Sequence, residues 1–489
     1  MLGATRFRFL NRELTLTSRD DWTQLSDDKL WLYNLHYFDD LAADDAAEHS
    51  DWHRALIHRW IEECPPGTAV PWDPYPTSLR IVNWVKYLLA RQDCDKAIIA
   101  SIATQTRALR RNLEWHLLGN HLFANAKALI VAGLFFDGRE AAEWLKTGSA
   151  IMREQLDEQI LDDGGQFELS PMYQSIMIED LLDLVQFDRS YPGILDTNLM
   201  HQIRDCVIRM LGWLEVMTRP NGEIVQFNDA AQGIAPKPAW LFDHAAQLGL
   251  NWPRLPETPL IQLQDSGYIR IRKGRFTLFL DVGPIGPDYL PGHAHADSLN
   301  FELHLGNEPV IVDSGTSCYG TSEERQRQRS TAAHNTVEID GLSSSEVWGG
   351  FRVARRARTT ITRIDVDDTV IVEAQHDGYQ TIAGKSLHQR RWEVGDNVVT
   401  ITDTLPGTFR EAIARLHFHP DVDAEAADAD RLMVTTGGGE QLRAVTRASS
   451  NTFRSTTYHP AFGIALPTRC LEMMLSSPSA RTTITLEAS

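Results

Sequence analysis

The chain has 489 residues, with 47 basic and 66 acidic side chains and a net charge of −19 when His is neutral. That length points to about two to four domains, and 43% hydrophobic with 23% charged residues excludes collagen-like, coiled-coil and disordered chains. So acidic a chain is a poor general nucleic-acid binder, because neutralising phosphates needs clustered Lys and Arg. A polyanionic ligand would need a local basic cleft to overcome the global field.

The opening residues, MLGATRFRFLNRELTLTSRDDW, lack the apolar stretch of a secretory signal. No run of about 18 apolar residues suggests a membrane span. The reading is a cytoplasmic protein, although structured-looking sequence begins so soon after Met1 that an upstream start stays open. Cys64, Cys94, Cys206, Cys318 and Cys470 are widely spaced and form no CxxC pair. Neither a disulfide framework nor a cysteine zinc site is indicated.

Up to about Trp252 the period is helical. Ile81, Trp84, Val85, Leu88 and Leu89 recur at three- and four-residue steps. So do Leu118, Leu122, Ala126, Leu129, Ile130 and Leu134, and later Ile203, Val207, Leu211 and Leu214. Asp162-Asp163-Gly164-Gly165 and Pro220-Asn221-Gly222 mark turns. Amphipathic helices with short links predict stacked helical hairpins. Eleven of the thirteen tryptophans fall in this half, where they either pack the core or offer flat faces to sugar rings.

PRLPETPLIQLQD (253–265) is Pro-rich and reads as a linker. After it the period becomes two: Leu299, Phe301, Leu303 and Leu305 alternate with Asn300, Glu302 and His304. TTITRI, TVIVEA, VVTITD and TTITLE are β-branched runs of strand length. The expected domains are therefore helical, 1–255, and an antiparallel β-sandwich, 256–489.

The densest chemical signal is PGHAHADSLNFELHLGNEPVIVDSGT, residues 291–316. His293 and His295, two apart in an extended loop, should point the same way. His295, Asp313 and His334 offer two imidazoles and one carboxylate, a set that suits Zn²⁺. The same three could equally be hydrogen-bonded polar residues at strand ends. Asn120 and His121 stand at a helix start, where Asn is a good cap. Tyr173 follows a Gly-rich turn, where a half-buried aromatic with a satisfied hydroxyl is the plainer reading.

Taken together, LWLYNLHYFDDL (30–41), WDPYPTSLRIVNW (72–84), GNHLFANAKAL (119–129), FELSPMYQ (167–174), PGHAHADSLNFELHLG (291–306), VDSGT and RSTAAHNTVEIDG carry a resemblance. The chain resembles the heparinase II/III-like family of polysaccharide lyases over nearly its whole length. The resemblance implies an incomplete (α/α) toroid followed by an antiparallel β-sandwich, with the active site in the cleft between them. It implies cleavage of a uronic-acid-containing, acidic polysaccharide by β-elimination. In that family's terms Asn120 neutralises the uronate carboxyl, and His121 matches a base used in some members. Tyr173 matches the acid, or both acid and base, and His293 the catalytic histidine of the sandwich. His295, Asp313 and His334 match a structural zinc site.

The chemistry explains these residue types. Hydrogen bonding at the carboxyl stabilises the enolate-like dianion that forms when C5 loses its proton. One group must take that proton and another must protonate the leaving O4. Arg325, Arg327, Arg329, Arg352, Arg355, Arg356 and Arg358 read either as an anion-binding wall or as a solvated surface forming ion pairs. Arg80 and Arg356 are the candidate substrate contacts. Two other readings stay open. One is a polysaccharide-handling protein that binds without cleaving. The other is a glycoside hydrolase, for which Asp163, Glu168 and Asp229 are candidate carboxylates.

Overall fold

The computed structural model describes residues 1–382 and 386–475 in full, and the backbone of 480–488. The chain forms two compact units. One comprises Met1–Gln159 and Glu179–Cys206, the other Ile160–Ile178 and Val207–Ser489. The division does not follow the sequence boundary at residue 255. Leu169, Trp213, Val216, Met217, Val225 and Phe227 share a core with Leu263, Tyr268 and Phe279 of the first strands. Periodicity reports a helix, but not which apolar face that helix buries.

The first unit is helical, as the periodicity predicts. Helix Lys29–Tyr37 starts at Asp28, whose carboxylate accepts from the backbone N–H of Leu30 and Trp31. Asp95 caps Lys96–Arg111 in the same way. Pro at the first turn of Pro74–Arg91 and left-handed Gln92 after its end fix both boundaries. Helix Gly119–Phe135 is buried on nearly every face. It lies against Arg139–Gln159 so closely that a Cβ on Gly148 would stand 2.7 Å from the Ala126 carbonyl oxygen. Here glycine permits a helical hairpin that a larger residue would wedge apart. Trp22, Trp31, Trp60, Trp84, Trp144 and Trp213 are buried, so six of the eleven early tryptophans are core.

The second unit carries antiparallel sheets. The supposed linker is only partly one: Leu260–Leu263 is an edge strand paired with Tyr268–Lys273. The sheet continues through Phe276–Asp281, Phe301–Leu305 and Glu308–Ile311. The four β-branched runs are strands Thr359–Val366, Val370–His376, Val398–Leu405 and Ala480–Ala488 of an eight-stranded sheet. Residues of several sheets, among them Leu303, Trp392 and Leu471, form one apolar core.

Strand Phe301–Leu305 departs from the simple alternating picture, because both its faces are buried. Glu302 is wholly enclosed and is held by the Arg219 guanidinium, Nε donating at 2.7 Å. Burial alone would raise the Glu302 pKa, but Arg219 and His304 bring it down to about 2. A carboxyl whose folded pKa lies below its unfolded value stabilises the fold above the unfolded value, near 4.3, and loses that stabilisation as pH falls. We expect about 3 kcal/mol from this ion pair to vanish between about pH 5 and pH 2. Acid denaturation of the chain beside a Glu302→Gln/Arg219→Met double variant checks it: the variant's acid limb should be shallower, and an unchanged limb would count against it.

Candidate active site

In the first unit, Leu118 takes a left-handed φ of 58° and Gly119 one of 53°, turning the chain into helix Gly119–Phe135. A left-handed Leu is strained, and such positions gather at functional sites. Leu118 occupies the cap position and offers no side-chain acceptor. Asn120 is therefore not the helix cap that its residue type suggested. Its amide nitrogen lies 3.5 Å from the Tyr75 hydroxyl. His121 places Nδ1 3.0 Å from Oε1 of buried Glu114. The other Glu114 oxygen accepts from Asn125 at 3.0 Å, and the Tyr75 ring lies 4.4 Å from the imidazole. A carboxylate on one ring nitrogen fixes the orientation of the other. Trp115, next to Glu114, is 51% exposed and is a flat face open to a ligand.

Arg80, expected at a substrate carboxylate, is fully buried in this unit. Its guanidinium donates to Gln105 Oε1 and to the His36 and Pro71 carbonyls, and it stacks on Trp60 at 3.9 Å. It is a core strut, and the substrate role is withdrawn.

In the second unit, Tyr173 sits in the first turn of helix Pro171–Ser190. Its ring packs 4.2 Å from that of His293, and its hydroxyl is 3.0 Å from the Tyr319 hydroxyl. Burial, then the neighbouring Tyr319, Asp229 and Glu168, push the Tyr173 phenol well above its ordinary value, so it keeps its proton. Asp229 connects the surroundings. Its Oδ2 meets His293 Nδ1 at 2.9 Å, and its Oδ1 meets His295 Nε2 at 2.9 Å. The two histidines thus turn to the same side, as the extended spacing predicts. Arg325 clamps both oxygens of Asp229. Burial works against the Asp229 charge, yet Arg325 and the histidine hydrogen bonds hold its pKa well below the usual range. Nε2 of His293 lies 3.4 Å from Glu168.

Beside Asp229 and Asp313, Nδ1 of His295, Oδ2 of Asp297 and Nε2 of His334 are buried polar atoms with no hydrogen-bond partner among the described residues. The three side chains offer ligand atoms within 4.8 Å of one another. Unpaired buried polar atoms are costly, and this convergence fits a bound cation. Burial, opposed by Asp229, brings the His295 pKa down to about 4, which leaves a neutral ring with a lone pair to give. The expected carboxylate is replaced here. Asp313 accepts from His334 Nδ1 at 2.8 Å and from Asn300, so it would orient that ring, while Asp297 is the carboxylate that stands with His295 and His334.

The run of arginines is not one wall. Arg325 and Arg329 are fully buried, and Arg329 donates to the Ala294 carbonyl. Arg355 holds the Ser343, Ser344 and Gly378 carbonyls. Arg356 contacts Asp288 at 3.1 Å and, with Arg358, lines a cavity of about 580 Å³ that includes neither Tyr173 nor His293. Two of the three hydrolase candidates are otherwise engaged, while Glu168 accepts from Gln166 at 3.1 Å and faces His293. Asp163 accepts from Gly165, Asp265 and Ser266 and secures a turn, and Asp229 is saturated by Arg325 and two histidines.

Residues 28–240 match the heparinase II/III N-terminus family, and residues 255–487 the heparinase II/III-like C-terminal family. The chain belongs to the heparinase II/III-like family. A heparin-sulfate lyase of Bacteroides stercoris is 27% identical over 256 residues, 45% of this chain and 36% of that protein. Another, from Pedobacter heparinus, is 24% identical over 313 residues, 59% of this chain and 40% of that protein. The matched stretch thus spans well under half of each relative's length. The crystal structure of heparinase III aligns with a TM-score of 0.76 at 16% identity, covering 94% of this chain and 76% of that one. A Streptomyces coelicolor A3 chondroitin AC lyase aligns at 0.52 and 10% identity, over 94% of this chain and 74% of that one. At such identities the likeness is one of fold, and it is the expected one: an incomplete (α/α) toroid followed by an antiparallel β-sandwich.

Within this heparinase-like chain, sequence reading missed Glu114, Tyr319, Arg325 as a clamp, and Asp297. It named Asp229 only for a different chemistry. Asp297 was legible as the third acid-or-imidazole in HAHAD. Tyr319 and Glu114 carry no local signal, since only the fold brings them to their partners. Among the described residues, no helix is long and apolar enough to cross a membrane.

Proposed function

We propose that this chain is a polysaccharide lyase that cleaves a uronic-acid-containing polymer by β-elimination and leaves 4,5-unsaturated uronate ends. The observation that carries this reading is the contact of Tyr173 with His293, the histidine being fixed by Asp229, whose charge Arg325 stabilises. Asp229 holds the proton on Nδ1 of His293, leaving Nε2 to accept the C5 proton, the arrangement by which a carboxylate makes imidazole a directed base. Tyr173 retains its phenol proton and gives it to the leaving O4. Tyr319 fixes the Tyr173 hydroxyl, and return of the proton taken up by His293 to Tyr173 closes the cycle. The family resemblance assigns Asn120, in the first unit, to the uronate carboxyl, and His121 next to it is held by Glu114. The substrate is an acidic polysaccharide. The name heparin belongs to the relatives, and their titles do not fix the sugar here. Mass spectrometry of the products tests the reaction: fragments one water lighter than hydrolytic ones are expected, and hydrolytic masses would overturn it.

His295, Asp297 and His334 would hold a divalent ion, for which zinc suits two imidazoles and a carboxylate. Bound there, it would be a structural tie for the loop that carries His293. Metal content separates the two aspartates. Asp297→Asn should lose most of the ion. Asp313→Asn should keep it with affinity lowered about 10- to 100-fold, the usual effect of losing an orienting partner. The reverse order would restore Asp313 as the ligand.

A binding protein that does not cleave is the second reading. It is favoured by the burial of Tyr173, 8% exposed, and polymer retention without product would support it.

A further inference from the structure

A second group of metal-type ligands stands in the first unit, and the heparinase-like chemistry does not use it. Asp40 lies on the short helix Asp39–Ala42, His49 is the cap residue of helix Ser50–Glu63, and His53 is one turn further on. Each offers a ligand atom, and the three atoms lie within 4.8 Å of one another. Histidines four apart share a helix face, and that spacing on a helix is one that zinc takes.

The partners of these side chains are incomplete. His53 is 1% exposed. Its Nε2 meets Asp40 Oδ2 at 2.6 Å, while its Nδ1 is buried with no hydrogen-bond partner among the described residues. Nδ1 of His49 is likewise buried and unpartnered, the nearest carboxylate, Asp45, being 3.9 Å away. The other Asp40 oxygen takes the Met1 amino group. The His49 ring is held flat against Trp52, with centroids 4.6 Å apart and planes 7° from parallel. Two oriented imidazoles with orphaned nitrogens beside an ionisable carboxylate form a preorganised ligand set rather than a loose surface cluster.

We propose that Asp40, His49 and His53 form a zinc site, with water in the fourth position. Two imidazoles and one carboxylate are ligands Zn²⁺ accepts, and a fourth open position is usual for three protein ligands. The ion would tie the Asp39–Ala42 turn to helix Ser50–Glu63.

The test is the zinc content of the full chain after equilibration with Zn²⁺ and gel filtration, wild type beside His49→Ala. His49 is partly exposed, with 19% of its side-chain surface accessible, so this variant spares the core. The expected result is one ion fewer per chain in the variant, whatever the occupancy at His295, Asp297 and His334. An equal content would overturn the proposal. A spectroscopic arm guards against a folding defect. Cu²⁺ bound at His49 should quench Trp52, so the quenched fraction should fall in Trp52→Phe and in His49→Ala. The same quenching in wild type and both variants would also overturn it.

Discussion

Tyr173→Phe should lower turnover on a uronate polymer by about 10²- to 10⁴-fold, the range for losing one proton-transfer group. Only the hydroxyl is removed. The ring that packs on His293 stays, so KM and the denaturation midpoint should hold near the wild-type values. Tyr319→Phe should cost less, because it removes the partner of the Tyr173 hydroxyl and leaves the donor. It should also shift the pH profile, since the Tyr319 hydroxyl contributes to raising the Tyr173 pKa. Steady-state kinetics of both variants decide it. Wild-type turnover by Tyr173→Phe would remove that residue from the chemistry, and a profile unmoved in Tyr319→Phe would deny the coupling.

Asp229→Ala should be the most damaging single change in the second unit. It leaves Arg325, fully buried, as a charge without its counter-ion, and breaking a buried pair in this way costs about 3–5 kcal/mol. It also releases His293 from its orienting acceptor and His295 from its own. Activity and bound metal should therefore fall together with the denaturation midpoint. Arg325→Met in the Asp229→Ala background should recover much of the stability, since an apolar replacement of both charges removes the uncompensated one. It should recover none of the activity. A double variant no more stable than the single would show that the ion pair is not what Asp229 contributes.

Much of the fold could be read in the chain because its two periods are pronounced. The residues Ile81 to Leu89 and Leu118 to Leu134 announce buried helix faces, and the β-branched runs announce strands. The division of the chain could not be read in this way. Trp213 and Val216 keep helical spacing, yet they pack on Tyr268 and Phe279, and no local pattern records that. The Pro-rich stretch hid the edge strand Leu260–Leu263 because proline is as much at home before a strand as in a linker.

The candidate site divides in the same way. His293, His295 and Tyr173 stand in short motifs whose spacing carries direction. Asp229 and Arg325 are 96 residues apart, and only the tertiary fold makes them a pair. Arg80 misled for a related reason. A conspicuous arginine in a motif suggests an anion, but this one satisfies carbonyls within a helical core. Asp313 and Asp297 show how fine the distinction can be. Both are buried acids near His334, and the geometry alone separates the one that orients the ring from the one that faces its unpaired nitrogen.

Elimination is read by ultraviolet absorbance during incubation with a panel of uronate polymers, wild type beside Tyr173→Phe. A lyase gives a rise from the conjugated 4,5-unsaturated uronate with at least one polymer, and almost none is expected from the variant. Polymer shortened to saturated fragments with a flat trace would contradict it, as would an equal rise in both proteins.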